Sequence, residues 1–254
     1  MTIEVTRDDR GVARVRLARP DVHNALDAAT MDALAAFAAY PGCRVAVLTG
    51  AGASFCAGGD LAWMRAQFDA APEARRREAR RLADMLRALN EMPVPLVARV
   101  NGAAYGGGVG LIAVADVAVA AEGAMLGLTE TRLGLIPATI GPYVVARMGE
   151  GMARRVFMSA RRFDAHEGVR LGLLARAVPP GELDAALEAE VAPYLACAPG
   201  AVADAKALAR RLGPPVGEAE IEMSVAALMA RWEGAEAREG VGAFFERRRP
   251  AWAT

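Results

Sequence analysis

Two short segments about fifty residues apart carry the residue types best suited to chemistry. One is Ser54-Phe55-Cys56-Ala57-Gly58-Gly59-Asp60 and the other is Asn101-Gly102-Ala103-Ala104-Tyr105-Gly106-Gly107-Gly108-Val109-Gly110. Residues with little or no side chain let a ligand approach the backbone closely. Gly106-Gly107-Gly108 precedes an apolar, helix-like stretch, and the first N–H groups of a helix are unsatisfied and sit at its positive end. Two such turns aiming N–H groups at one point would stabilise an oxygen that gains negative charge. Asp60 follows the first turn and suits the cap of the next helix.

These turns need elements to hold them. Ile3 to Leu17 alternates as a hairpin around Asp8-Asp9-Arg10-Gly11, and a loop from Ala18 to Asp27 leads into a helix from about Thr30 to Ala39. Arg44 to Thr49 is a buried strand feeding the first turn. Glu73 to Met92 is a long amphipathic helix stopped by Pro93 and Pro95. Leu96 to Val100 is the strand before the glycine turn, a helix runs from that turn through Ala115, and Asp116 to Ala120 is strand again. Strand, turn and helix alternate, as in a parallel core with crossover connections. Residues 181–211 and 217–247 are helical in period, broken at Pro199-Gly200 and Gly213-Pro214-Pro215. The expected division is therefore 1–180 as a core and 181–254 as a helical C-terminal region. No internal repeat of 20–50 residues is visible.

Composition narrows the function classes. The chain has 254 residues, 54% hydrophobic and 24% charged, with formal net charge 0. That suits one large domain and offers no basic field for nucleic acid. Lys206 is the only lysine, so Schiff-base chemistry would rest on it alone. The cysteines, Cys43, Cys56 and Cys197, are odd in number and lack C-x-x-C spacing, as expected of reduced cytoplasmic thiols. With only His23 and His166, a histidine-rich metal site is not expected. Met1 leads directly into an alternating strand pattern rather than a signal peptide, and no apolar run reaches membrane-spanning length.

The chain resembles the enoyl-CoA hydratase/isomerase, or crotonase, family. Ala18-Arg19-Pro20 to Asn24-Ala25-Leu26 resembles its coenzyme A loop. Val47 to Gly52, continuing into Phe55 to Leu61, resembles its first oxyanion segment, and Asn101 to Gly108 its second. Thr129-Glu130-Thr131-Arg132-Leu133-Gly134-Leu135-Ile136-Pro137 resembles its catalytic-glutamate segment. Ala165 to Leu173 and Phe244-Phe245-Glu246-Arg247-Arg248 match further landmarks. The resemblance implies an α/β fold of the crotonase (ClpP/crotonase-like) type, a spiral of ββα units with a helical C-terminal trimerisation region, in homotrimers or dimers of trimers. The substrate would be an acyl-CoA thioester, with coenzyme A part of the substrate and no separate cofactor.

Carried over by residue, the resemblance makes Ala57 and Gly107 the oxyanion donors and Glu130 the acid/base. Substrate and coenzyme A contacts would fall on Ala25, Leu26, Asp60, Leu61, Gly106, Gly110, Pro137 and Arg247. Family hydratases usually carry a second glutamate two residues after the glycine triplet, and here that position is Gly110. A single glutamate beside an oxyanion hole also serves double-bond isomerisation. The runs Gly106–Leu111 and Ile136–Tyr143 resemble a bacterial branch assigned as methylglutaconyl-CoA hydratase or a related branched-chain hydratase, in which Thr139, Tyr143 or the substrate's own carboxylate could assist. The reading favoured is a hydratase for α,β-unsaturated acyl-CoA. The alternatives are a Δ3-Δ2-enoyl-CoA isomerase and a weakly catalytic CoA-thioester binding protein; the neutral charge disfavours an RNA-binding role.

Overall fold

The computed structural model describes residues 1–253. The chain enters through the antiparallel pair β1 (Ile3–Arg7) and β2 (Val12–Leu17) and a loop closed by α1 (Ala28–Ala39). Asp27 caps α1 by accepting from Thr30 N at 2.8 Å, so the helix starts two residues before the periodicity predicts. Next come β3 (Val45–Gly50), β4 (Ser54–Cys56), α2 (Leu61–Gln67) and α3 (Pro72–Glu91). The pattern repeats as β5 (Leu96–Val100), β6 (Ala103–Tyr105) and α4 (Gly107–Val114), and again as β7 (Val117–Ala121), β8 (Met125–Gly127), α5 (Gly141–Met148) and α6 (Glu150–Phe157). β9 (Arg162–Asp164), α7 (Ala165–Arg170) and β10 (Arg176–Val178) complete the core. α8 (Leu183–Leu195), α9 (Pro199–Leu212), α10 (Glu218–Glu233) and α11 (Ala235–Phe245) follow.

The long strands form a six-stranded sheet in the order β1-β2-β3-β5-β7-β10, parallel except for β1. β3 is buried along its whole length, as a parallel strand covered on both faces must be. Ala46 and Leu48 face the main core with Leu86 and Leu111, while Val45 and Val47 face Leu183, Leu187 and Val191 of α8. α8 is thus the second cover of the sheet rather than a detached appendage.

The short strands form a second sheet, β4-β6-β8-β9, that the periodicity does not predict. Three residues are too few to display a period of two. This sheet does the positioning. β4, β6 and β8 run parallel, with Cys56 opposite Ala104 and Tyr105 opposite Gly127. Their C-terminal ends therefore deliver Ala57–Gly59, Gly106–Gly107 and Leu128–Glu130 to one place. Each ββα unit contributes one long and one short strand, a repetition of topology without repetition of sequence.

The C-terminal breaks fall where the sequence places them, between α8 and α9 at 196–198 and between α9 and α10 at 213–217. Pro199 opens α9 at its first turn rather than interrupting it, a position where the missing N–H costs nothing. Pro193 lies inside α8. α10 packs on α3, with Arg80 meeting Glu218 and Glu222, and Arg87 bonding Glu218 at 2.7 Å. α11 packs on the turn that carries Glu130. Among the described residues, no helix is long and apolar enough to cross a membrane.

Candidate active site

The two glycine turns touch through their backbones. A Cβ added at Gly107 would stand 3.5 Å from both Gly58 Cα and Gly59 N, and one at Gly58 would stand 3.2 Å from Gly107 N. Gly58 and Gly106 also have φ of 94° and 48°, conformations that side chains rarely adopt. Small residues are therefore required twice, by conformation and by close approach.

Two asparagines hold these turns, and motif reading passed over both. Asn24, 1% exposed and at φ 58°, donates from Nδ2 to Ala51 O and Ser54 O, each at 2.9 Å. Asn101 accepts Gly50 N–H at 3.0 Å and donates to Gly52 O at 3.0 Å. Both satisfy backbone groups that the departing strand ends would leave unpaired. Their signals were present as an Asn-Gly pair at 101–102 and as an Asn before the first buried pair, Ala25-Leu26. Neither signal tells a turn residue from a clamp.

The expected donor Ala57 is corrected by the hydrogen-bond pattern. Its N–H donates to His23 O at 2.9 Å and is spent. The N–H that faces Gly107 is that of Gly59. Leu26 forms a parallel bridge to this segment, donating to Gly58 O at 2.8 Å and accepting from Asp60 N at 2.9 Å. In such a bridge the middle residue, Gly59, directs its N–H to the other side, and it has no acceptor among the described residues. Gly107 is the first residue of α4, so its N–H has no partner within the helix.

Glu130 opens the short helical turn Glu130–Leu133, directly after β8. A Cβ on Gly106 would lie 2.9 Å from its Oε1, so the carboxyl lies across the glycine turn. Its Oε2 is buried without a partner among the described residues. Burial disfavours the charged form and pushes its pKa up to about 7. Glu130, Gly59 and Gly107 line one cavity of about 40 Å³, with Pro137 and Thr139. That is room for roughly three water-sized groups.

The turn bearing Glu130 is set by the C-terminal helices. Gly134 ends it at φ 67°, where a Cβ would stand 2.8 Å from Ala237 N, and Arg231 Nε donates to Gly134 O at 2.9 Å. A Cβ on Gly240 would approach Leu133 Cα to 2.8 Å. α10 and α11 thus press the turn against the core. No sequence period reveals that contact.

The remaining expected residues divide. Asp60 caps α2, accepting from Ala62 N at 2.9 Å and Trp63 N at 3.3 Å, and pairs with Arg19 at 3.1 Å. Leu61 opens that helix, half-buried. Leu26 is fully buried beneath Gly107, with its Cδ1 3.1 Å from where a Cβ would be. Ala25 donates its N–H to Val22 O and accepts Arg19 Nη1 at 2.6 Å, so its backbone is already engaged. Arg247 lies on the exposed C-terminal segment, away from this cavity's walls.

Gly110 is walled off. A Cβ there would overlap Ile140 Cγ2 and stand 3.0 Å from Ile140 Cβ. Ile140, itself a wall of the Glu130 cavity, occupies the space a larger side chain at 110 would need. Tyr143 lines a separate cavity of about 600 Å³ with Glu91, Arg147 and Arg210. Of the two suggested helpers only Thr139 shares the cavity with Glu130. Cys56 is fully buried and its thiol is pushed up to about 12, unsuited to nucleophilic attack. Among the described residues, no cluster of three potential metal ligands occurs.

Comparison with known proteins agrees with this architecture. The pattern of the enoyl-CoA hydratase/isomerase family matches residues 7–254. The crotonyl-CoA hydratase of Syntrophomonas wolfei is 35% identical over 70% of this chain and 70% of its own length. The crystal structure of an enoyl-CoA hydratase from Mycobacterium avium subsp. paratuberculosis superposes with TM-score 0.87 at 25% identity, covering 100% of this chain and 99% of that one. Pseudomonas aeruginosa AtuE superposes with TM-score 0.78 at 39% identity, covering 100% of each chain. With this match running almost end to end over a fold of the same topology, the chain belongs to the enoyl-CoA hydratase/isomerase family of hydro-lyase and isomerase enzymes, and its fold is the crotonase fold.

Proposed function

We propose that this enzyme adds water across the double bond of a short α,β-unsaturated acyl-CoA thioester. The observation that carries the reading is the single buried carboxyl of Glu130 sharing one small cavity with the unspent N–H groups of Gly59 and Gly107. The thioester oxygen accepts from those two groups. Glu130 as carboxylate takes a proton from water while the oxygen of that water bonds to the β-carbon. The electron pair moves to the thioester oxygen as an enolate. Glu130 then returns the same proton to the α-carbon, so H and OH are added and the enzyme is unchanged. Each donor contributes about 3–4 kcal/mol to the barrier reduction. Thr139 is the neighbouring hydroxyl that can hold the water.

Ile140 behind Gly110 favours a second reading. It replaces the site of a second carboxylate with an apolar wall, which suits double-bond isomerisation. There Glu130 takes the α-proton of a 3-enoyl thioester and returns it to the γ-carbon. A paired assay separates the two. Crotonyl-CoA losing its conjugated absorbance supports hydration. A 3-enoyl-CoA gaining absorbance while crotonyl-CoA is inert replaces hydration with isomerisation.

Coenzyme A would lie outside the cavity along the Ala25–Leu26 loop, with Arg247 available to a phosphate through its forked guanidinium. The exposed Leu208, Leu212, Phe244, Phe245 and Trp252 of the C-terminal region favour self-association, and we assign it to a trimer or dimer of trimers. A cytoplasmic location fits the free cysteines.

A further inference from the structure

One guanidinium ties together the two sides of the bridge that frees the Gly59 N–H. Arg19 donates from Nη1 to Ala25 O at 2.6 Å and from Nη2 to Asp60 Oδ2 at 3.1 Å, and the same Nη2 lies 3.3 Å from Asp27 Oδ2. Ala25 and Asp60 are the chain neighbours of Leu26 and Gly59, the two members of the bridge. The contacts therefore close a ring. It runs from Arg19 to Ala25, along the chain to Leu26, across to Asp60, whose N–H donates to Leu26 O at 2.9 Å, and back to Arg19. Asp27 uses Oδ1 to cap α1 and Asp60 uses Oδ1 to cap α2, which leaves each Oδ2 to Arg19. The backbone of Arg19 is itself fixed by Asn24, accepting from Asn24 N at 2.8 Å and donating to Asn24 Oδ1 at 3.0 Å. The side chains of Arg19, Asp27 and Asp60 are 23%, 28% and 15% exposed, deeper than the freely solvated pairs whose net contribution is small.

We infer that Arg19 is a positioning residue for the Gly59 N–H, acting through Ala25 and Asp60 rather than touching the substrate. This inference rests on reading Gly59 and Gly107 as the donors to the thioester oxygen. The two carboxylates supply the reason a cation is required. Their Oδ2 atoms share one nitrogen, so without it two negative charges stand close together with nothing between them. Their repulsion draws Asp60 away from Leu26, and Gly59 with it. A displacement of about 1 Å at a reacting group costs up to about 100-fold in rate. The other donor, Gly107, is set by α4, so the loss should be that of one donor and not of both.

The test binds butanoyl-CoA, carrying heavy carbon at its carbonyl and no double bond to hydrate, to the full-length protein. Isotope-edited infrared difference spectroscopy reads the carbonyl stretch. Two N–H donors should lower that stretch below its value in free solution. In Arg19→Met it should return part of the way, and kcat for the enoyl thioester that the enzyme turns over should fall about 10- to 100-fold with KM within about threefold. Arg19→Lys keeps the charge but offers one nitrogen where the guanidinium offers two, so its stretch should lie between those of Arg19→Met and the unsubstituted protein. Asp27→Asn keeps a good helix cap and removes only the arm of the cluster that does not reach Gly59, so its stretch should match the unsubstituted protein. An unchanged stretch in either Arg19 variant that circular dichroism shows folded would overturn the inference. So would a change in Asp27→Asn as large as that in Arg19→Met, because general loosening would then be the cause. A stretch in the unsubstituted protein equal to that of the free thioester would instead refute the donor reading on which the inference rests.

Discussion

At the scale of single residues, burial suits Glu130 to the base role proposed for it near neutral pH. A carboxyl whose pKa is raised to about 7 is half ionised there and can both take and return a proton. Replacing it with Gln should lower kcat by about 10²–10⁴-fold with either acyl isomer, measured by conjugated thioester absorbance. The same shift has a stability consequence. The folded pKa lies above the ordinary 4.5, so the folded state binds the proton more tightly than the unfolded one. The corresponding stability is fully present below pH about 4.5 and is lost as pH rises through about 7. It amounts to about 3 kcal/mol. Glu130→Gln should flatten that part of the pH dependence in denaturant unfolding followed from pH 5 to 8. Gly110 is the other decisive position. Gly110→Glu should destabilise by about 1–3 kcal/mol because Ile140 fills its space, and Ile140→Ala should recover part of that loss in a double-mutant cycle. Purely additive effects would mean the two positions do not compete.

At the scale of elements, three short strands and two C-terminal helices position the candidate site. The glycine turns were legible in the sequence, because close backbone approach leaves a record in residue type, whereas Glu130 was marked only by the family resemblance of its segment. The sheet that gathers them was not legible, since β4, β6 and β8 are each three residues long. The donor was misplaced for a related reason. Ala57 and Gly59 are both small, and only the Ala57–His23 bond and the bridge to Leu26 decide which N–H is free. Gly240 tests the helix clamp. Gly240→Ala drives a methyl into the Leu133 backbone and should displace Glu130, lowering kcat at temperatures where circular dichroism shows the variant still folded. Arg75 tests the scaffold alone. It is 8% exposed and donates to the Gln67, Phe68 and Ala70 carbonyls at and just beyond the end of α2. Arg75→Met should destabilise by about 3 kcal/mol, seen in chemical denaturation, by leaving those carbonyls unpaired.

At the scale of the whole molecule, the sequence division at residue 180 marks a change of period rather than of body. α8 covers the six-stranded sheet, and Lys206 of α9 reaches back to Asp116 at 2.8 Å and Val94 O at 3.0 Å. α10 supplies Trp232 and Leu228 to the Glu130 cavity. Periodicity identified the helices but could not say where they dock, because docking is a property of contacts distant in sequence. The exposed apolar residues of the same region should be covered in an oligomer. Light scattering of the purified chain should therefore give three or six times the 26.6 kDa protomer mass. A monomer at micromolar concentration would remove that assignment.

The central claim is that one buried glutamate, working with the Gly59 and Gly107 N–H groups, adds water to an enoyl thioester. The most direct measurement is kcat/KM for crotonyl-CoA from pH 5 to 9, on the unsubstituted enzyme and on Glu130→Gln. The active form is the carboxylate, so the rate should rise through pH about 7 and level off above it. The variant should be slower at every pH and show no such rise. Turnover that is independent of pH, or unchanged by Glu130→Gln, would contradict the account.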